Sequence, residues 1–205
     1  MVKIHSGSLP TGVRTTRGRR SGNQHLCRAG CQTAETAAHV LQVCPSVRRP
    51  RCARHNSALN ILDGYARRRG WPVWLEPHFN LEEQGYRPDL LVVSPKGAFI
   101  IDVSVVSGSG RRPLADINDA KIRKYKTDAL LHAAAERANV QPGQIKVIGA
   151  TITWRGVWYG RSARDLIQAG YPMFILEWMT TRVLTGGTCI WSAFRAATAE
   201  RRVAA

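Results

Sequence analysis

Residues 87–106, "RPDLLVVSPKGAFIIDVSVV", decide how this chain folds. Two runs of apolar and β-branched residues, 89–93 and 98–106, flank the turn-forming "SPKG" at 94–97, so the stretch predicts an antiparallel hairpin. Two acids stand inside it, Asp89 and Asp102. The run "AFIID" leads four apolar residues straight into Asp102. A carboxylate taken into the interior is costly unless a cation or protonation relieves it. The register that a short turn imposes sets the start of the first strand beside the end of the second, which brings Asp89 and Asp102 together. Two carboxylates at one point are a ligand pair for one Mg²⁺ or Mn²⁺. The plainer reading makes Asp102 a strand-end residue at a turn and Asp89 an aspartate capped after Pro88.

The rest of the chain extends this hairpin into a layered fold. A short strand at 73–76 precedes it. Residues 113–140, "PLADINDAKIRKYKTDALLHAAAERANV", begin with Pro113, carry apolar residues at helical spacing and are followed by "PG", which predicts one long helix. On that helix Lys121 and Lys124 are three apart and share a face beside Tyr125, so either amine can complete the carboxylate pair with a positive charge. "IKVIGATITW" at 145–154 is apolar and β-branched throughout and predicts a central strand. A helix at 162–169 and a helical region from 173 complete the chain. Upstream, Pro50 suits the start of a helix in which Leu59, Leu62 and Tyr65 recur three apart, and Gly70 with Pro72 ends it. The order ββ, β, α, β, α describes an α/β sandwich with a mixed sheet and no internal repeat.

Thirty Lys and Arg against fourteen Asp and Glu give a net charge of +16, which points to a polyanionic partner. Most of the excess lies in the first third: thirteen basic residues face two acidic ones through Gly70. No apolar run approaches the roughly 20 residues of a spanning helix, so a membrane is not the partner. The amino end lacks the apolar middle of a secretory signal, and five cysteines are an odd number, so the thiols are expected to stay reduced. Metal binding is then the first use to test. Cys27 and Cys31 are separated by three residues, His39 follows after seven and Cys44 after four, a complete set for a tetrahedral Zn²⁺. Cys52 or His25 could replace one of the four. Within this segment Thr33 with Glu35, or Thr36, opens a short helix carrying Ala37, Val40 and Leu41 on one side. Residues 1–26 show no sustained period and read as a basic linker or arm.

In order, the motifs "LPTGVRTTRGRR" (9–20), "CRAGCQTAETAAHVLQVC" (27–44), "RHN" (54–56), "RPD" (87–89) with Asp102, and "KIRKY" (121–125) form a recognisable series. Pro88–Asp89, Asp102 thirteen positions on and a downstream lysine resemble the PD-(D/E)xK restriction-like nuclease core. In most of that superfamily the lysine lies two residues after the second acid. Here that position is Ser104, so the resemblance assigns the lysine's role to Lys121 or Lys124. The whole series resembles the carboxyl-terminal part of the polyprotein of site-specific non-LTR retrotransposons that insert into ribosomal RNA genes of arthropods, over nearly the entire chain.

The resemblance implies a basic linker (1–26), a CCHC zinc knuckle (27–46) and a restriction-like endonuclease domain (47–205). It implies a metal-dependent endonuclease that nicks target DNA for target-primed reverse transcription, using Mg²⁺ or Mn²⁺, in the nucleus. The parent polyprotein would also be an RNA-directed DNA polymerase acting on the element RNA, although no polymerase motif occurs in these residues. DNA contacts are expected from Arg17, Arg19 and Arg20 of the arm, from Arg67 and Arg68, and from Arg54, His55 and Arg87. Glu76 is an additional acidic ligand of little weight. The rival reading is a nucleic-acid-binding zinc module whose nuclease core is degenerate and inactive. Ser104 favours it, and the helix lysines oppose it.

Overall fold

The computed structural model describes residues 2–16, 25–81, 84–108 and 113–203. They form two units that interleave along the chain: Met1–Ser57 with Trp154–Gly156 and Thr181–Ala205, and Ala58–Thr153 with Val157–Thr180.

The first unit begins with two single-turn helices, α1 (Val2–His5) and α2 (Gly12–Thr15). Within the expected linker or arm, Ile4 and Leu9 are buried core residues and Thr11 is buried with them. One-turn helices carry too few residues for a periodic signal, so their order depends on tertiary contacts that the local sequence does not announce. The side chain of His5 meets the carbonyl of Arg155 at 2.8 Å. The remaining arm residues Arg17, Arg19 and Arg20 lie outside the described residues. A bridge between Leu26 and Ala34 closes the cysteine loop. A π-helical turn at His39–Val43 and a 3₁₀ turn at Pro45–Val47 lead into α3 (Arg48–Arg68).

The second unit carries the sheet. Its strands are β1 (Val73–Leu75), β2 (Phe79–Leu81), β3 (Gln84–Tyr86), β4 (Leu90–Ser94), β5 (Gly97–Val106) and β6 (Ile145–Thr153). β2 and β3 pair as a separate hairpin that the sequence reading did not foresee; the other four form a mixed sheet in the order β1-β4-β5-β6. The expected hairpin is present: Ser94 pairs with Gly97, leaving Pro95 and Lys96 as its turn, and Leu90 pairs with Ile101. One further step along that register sets Asp89 against Asp102.

Strand β6 runs parallel to β5, with Gly149 beside Asp102. Contrary to expectation it is not central, since it ends the hydrogen-bonded order. Its apolar character reports cover rather than position: α4 (Leu114–Tyr125) and α6 (Gly160–Gln168) pack on it, and every residue from Ile148 to Thr153 is buried.

The single long helix predicted over 113–140 is two helices, α4 and α5 (Asp128–Ala138). Thr127 takes extended backbone angles and its side chain accepts the N–H of Leu130, capping α5 while Lys126 closes α4 on the carbonyl of Ile122. The sequence carried this signal, since Thr127–Asp128 is a cap followed by an acid in the first turn, but the continuous apolar period masked it. Helix α5 packs on β2 and β4, filling a core of Leu91, Ile100, Tyr125, Leu130 and Ala134. A last helix, α7 (Met173–Val203), contributes residues to both units.

Candidate active site and metal centre

Asp102 lies in the middle of β5 with its side chain only 6% exposed, and its Oδ2 is 2.7 Å from Nζ of Lys121. The contact is an ion pair between a half-buried ammonium and a buried carboxylate. Asp89, half-buried just ahead of β4, accepts the backbone N–H of Val103 at 2.6 Å through Oδ2. That bond ties the first acid to the strand carrying the second. The backbone around Asp89 is held as well: its carbonyl accepts the N–H of Glu76 at 2.8 Å. Glu76 adopts a left-handed φ of 46° and pairs through its carboxylate with Arg87. Glu76 and Arg87 therefore engage each other at the rim. Neither the extra metal ligand expected of Glu76 nor a free phosphate contact at Arg87 is what this pairing shows.

The structure separates the two candidate lysines. Lys121 points at Asp102, while the exposed Lys124 donates to the hydroxyl of Tyr125 at 3.1 Å and lies 4.7 Å from its ring centre. Tyr125 is a participant that the sequence reading placed beside the lysines without a role. Its hydroxyl donates to the carbonyl of Arg87 at 3.1 Å. Burial first, then the charges of Asp102 and Asp89, push its pKa far above the usual phenol range, so it stays neutral. Its spacing of four from Lys121 on one helix face was the available signal. Ser104, in the position the lysine usually takes, is buried and its hydroxyl has no partner.

The second constellation is in the other unit. Cys27, Cys31, His39 and Cys44 place their ligand atoms within 4.8 Å of one another, and could hold a metal ion. They are the four residues the sequence reading named. The alternatives are not among them: Cys52 and His25 are exposed. Sγ of Cys44 lies 3.9 Å from that of Cys27 and 3.6 Å from that of Cys31. Burial pushes the Cys31 thiol up to about 12, with the neighbouring thiols adding to it. The same burial raises Cys27 and lowers His39. Nδ1 of His39 meets the hydroxyl of Thr33 at 3.3 Å, and Nε2 is buried without a partner. Of the two proposed openings of the helical turn, Thr36 is the one that caps, accepting the N–H of His39 at 3.0 Å.

Beside the cluster, Glu35 is wholly buried and accepts from the Arg28 guanidinium (2.8 Å), from the Arg28 backbone N–H (3.0 Å) and from the Gly12 N–H (2.8 Å). Arg28 in turn lies over the rings of Phe194 and Trp191, at 5.4 and 6.0 Å.

Among the residues expected to touch DNA, Arg54 departs most. It is 4% exposed, donates to Gln42 at 3.0 Å and keeps Nε and Nη1 buried without partners. Burial and then the charge of Arg51 push it down to about 10. His55 is half-buried; Arg67 and Arg68 are exposed, with Arg67 paired to Asp63 at 2.9 Å.

A mixed sheet with one acid just ahead of β4 and another in β5, a lysine closing on the second and a Cys₃His cluster define a basic α/β chain with a candidate metal centre and a candidate acid–lysine site. Its homologues are Pol polyproteins of R2 retrotransposable elements, which match most of its length. It is 34% identical over 206 residues to the retrovirus-related Pol polyprotein from type-1 retrotransposable element R2 of Nasonia vitripennis, an alignment covering 98% of this chain and 20% of that protein. It is 32% identical over 169 residues to the polyprotein from type-2 retrotransposable element R2DM of Drosophila melanogaster, covering 82% of this chain and 16% of that protein. A type-1 R2 polyprotein of Popillia japonica is 33% identical over 204 residues, covering 93% of this chain and 27% of that protein. The chain thus spans a quarter or less of the first two of these relatives. No protein-family model matches it.

Proposed function

We propose that this chain is a metal-dependent endonuclease that nicks target DNA, the carboxyl-terminal part of a longer R2-type polyprotein that as a whole is also an RNA-directed DNA polymerase. The observation that carries this reading is the 2.6 Å bond from the Val103 N–H to Asp89, which ties the first acid to the strand that bears Asp102, with Lys121 2.7 Å from Asp102. In this reading the sheet and its helices are a PD-(D/E)xK core whose lysine has moved from Ser104 to α4.

The donor set fits a hard divalent cation. A carboxylate 6% exposed offers two acceptor oxygens, of which the Lys121 ammonium engages Oδ2. Asp89 and Asp102 would hold Mg²⁺ or Mn²⁺, which when bound polarises the scissile phosphate and acidifies an attacking water. The chain's own residues do the rest. The Val103 N–H fixes Asp89, and the Lys121 ammonium neutralises charge developing on the phosphate. Tyr125, kept neutral, donates its hydroxyl proton to the Arg87 carbonyl and helps to seat α4 beside Asp102.

The Cys₃His cluster fits Zn²⁺. Zn–S bonds of about 2.3 Å give a tetrahedral edge of about 3.8 Å, against the observed 3.6 and 3.9 Å. The partnerless Nε2 of His39 is the fourth donor. Zinc would brace the cysteine loop, leaving Arg67 and Arg68, with Arg17, Arg19 and Arg20, to contact phosphate. The substrate we assign is DNA of a ribosomal RNA gene, reached in the nucleus, and the nicked 3′ end primes copying of the element RNA.

One observation favours a second reading, a DNA-binding module with an inactive core: the Lys121–Asp102 ion pair neutralises the buried acid with no divalent ion. Supercoiled plasmid nicking with Mg²⁺ separates the two. The nuclease reading expects nicking by the wild type and its loss in Asp89→Ala and Asp102→Ala with DNA binding retained. Equal nicking in the variants, or none in the wild type, refutes it.

A further inference from the structure

In α4 the buried residues are Asn118 and Tyr125, an amide and a phenol, on a helix whose seat would ordinarily be apolar. Asn118 is fully buried, and its Nδ2 faces the Gly149 carbonyl at 2.6 Å, Ser162 Oγ at 2.8 Å and Thr151 Oγ1 at 3.2 Å. Ser162 completes the knot, donating to the same Gly149 carbonyl at 2.5 Å and accepting the Thr151 N–H at 3.1 Å. One helix turn is thereby fastened to two residues of β6 and one of α6. The Oδ1 of Asn118 stays buried without a partner, a cost that an apolar residue would not carry.

The place of this knot gives it meaning. Gly149 is the residue paired with Asp102 across β5 and β6. Asn118 precedes Lys121 by three positions and Tyr125 follows it by four, so the three share one face. A lysine borne on the strand at position 104 would be placed by the sheet itself. A lysine borne on a helix is only as well placed as the helix, and apolar packing alone lets a helix rotate or slide. Directional hydrogen bonds on either side of Lys121, Asn118 to Gly149 and Tyr125 to Arg87, remove that freedom. Gly149 must lack a side chain for the approach: a Cβ there would lie 2.6 Å from Nδ2 of Asn118.

We infer that Asn118 is a positioning residue, whose buried amide locks α4 onto β6 so that the Lys121 ammonium is held against Asp102. The catalytic part of this inference rests on the nuclease reading above; the placement of Lys121 does not. Two measurements on the 205-residue chain separate them. Limiting acetic anhydride, read by mass spectrometry, is expected to label Lys121 less than the exposed Lys146 in the wild type, and equally with it in Asn118→Ala. Ser162→Ala, a milder change that keeps the helix, is expected to move Lys121 in the same direction. In plasmid nicking, Asn118→Ala is expected to lose roughly 10²-fold, and to lose nothing further when added to Lys121→Ala. Unchanged Lys121 labelling in both folded variants overturns the inference, as do nicking losses that multiply in the double variant. A wild type that does not nick overturns the nuclease reading alone, and the labelling then decides the positioning role.

Discussion

Glu35 shows how one residue can hold three pieces of the chain together. Burial by itself would raise its pKa, but the Arg28 guanidinium and the N–H groups of Arg28 and Gly12 outweigh it and lower the carboxyl below its ordinary 4.5. A folded value below the unfolded one means that Glu35 contributes its full stability above the unfolded value and loses it as pH falls through the folded one. Glu35→Gln is expected to cost about 1.5–3 kcal/mol at neutral pH in urea unfolding, and the gap should close as the pH is taken below 4.5. A gap independent of pH would show that the ion pair is not its source. Gly186 makes the opposite demand. In an ordinary helix Gly→Ala stabilises, yet here a Cβ would stand 2.5 Å from Cγ of the buried Arg54. Gly186→Ala should therefore destabilise by about 1–3 kcal/mol in the same assay. Neither role was legible beforehand. Arg54 sits in a basic motif and reads as surface, and nothing local to its sequence reveals that a glycine far along the chain makes room for it.

Helix α4 and the β4–β5 hairpin together set the geometry of the acid site, and they were legible to different degrees. The hairpin could be read because its register follows from a two-residue turn, a local cause; the bond from the Val103 N–H to Asp89 lies one step beyond that register. The break between α4 and α5 was hidden because the apolar period continues across it, while the cause is a single hydrogen bond from the Leu130 N–H to Thr127. The break matters, since it ends α4 at Tyr125, where the hydroxyl reaches Arg87. Thr127→Ala should cost about 1 kcal/mol in urea unfolding, the ordinary value of a lost cap. A cost near zero would mean that packing of α5 alone sets the break. The β2–β3 hairpin was missed because three-residue strands separated by polar residues leave no alternation to detect.

For the molecule as a whole, charge and cysteine spacing were legible, and the interleaving of the two units was not. Residues 154–156 and 181–205 join the amino-terminal unit, a long-range arrangement that no local pattern encodes. The Cys₃His cluster anchors that unit in our reading. Cys44→Ser is expected to abolish zinc binding by elemental analysis and to speed amide hydrogen exchange across residues 25–47, leaving protection of β4, β5 and β6 intact. Zinc retained at the wild-type level would contradict the ligand assignment. The central claim is that Asp89 and Asp102 share one divalent cation, and crystals soaked in Mn²⁺ test it most directly. We predict an anomalous scattering peak touching a carboxylate oxygen of each, absent in Asp102→Asn; a map from well-occupied crystals with no peak between the two acids contradicts the claim.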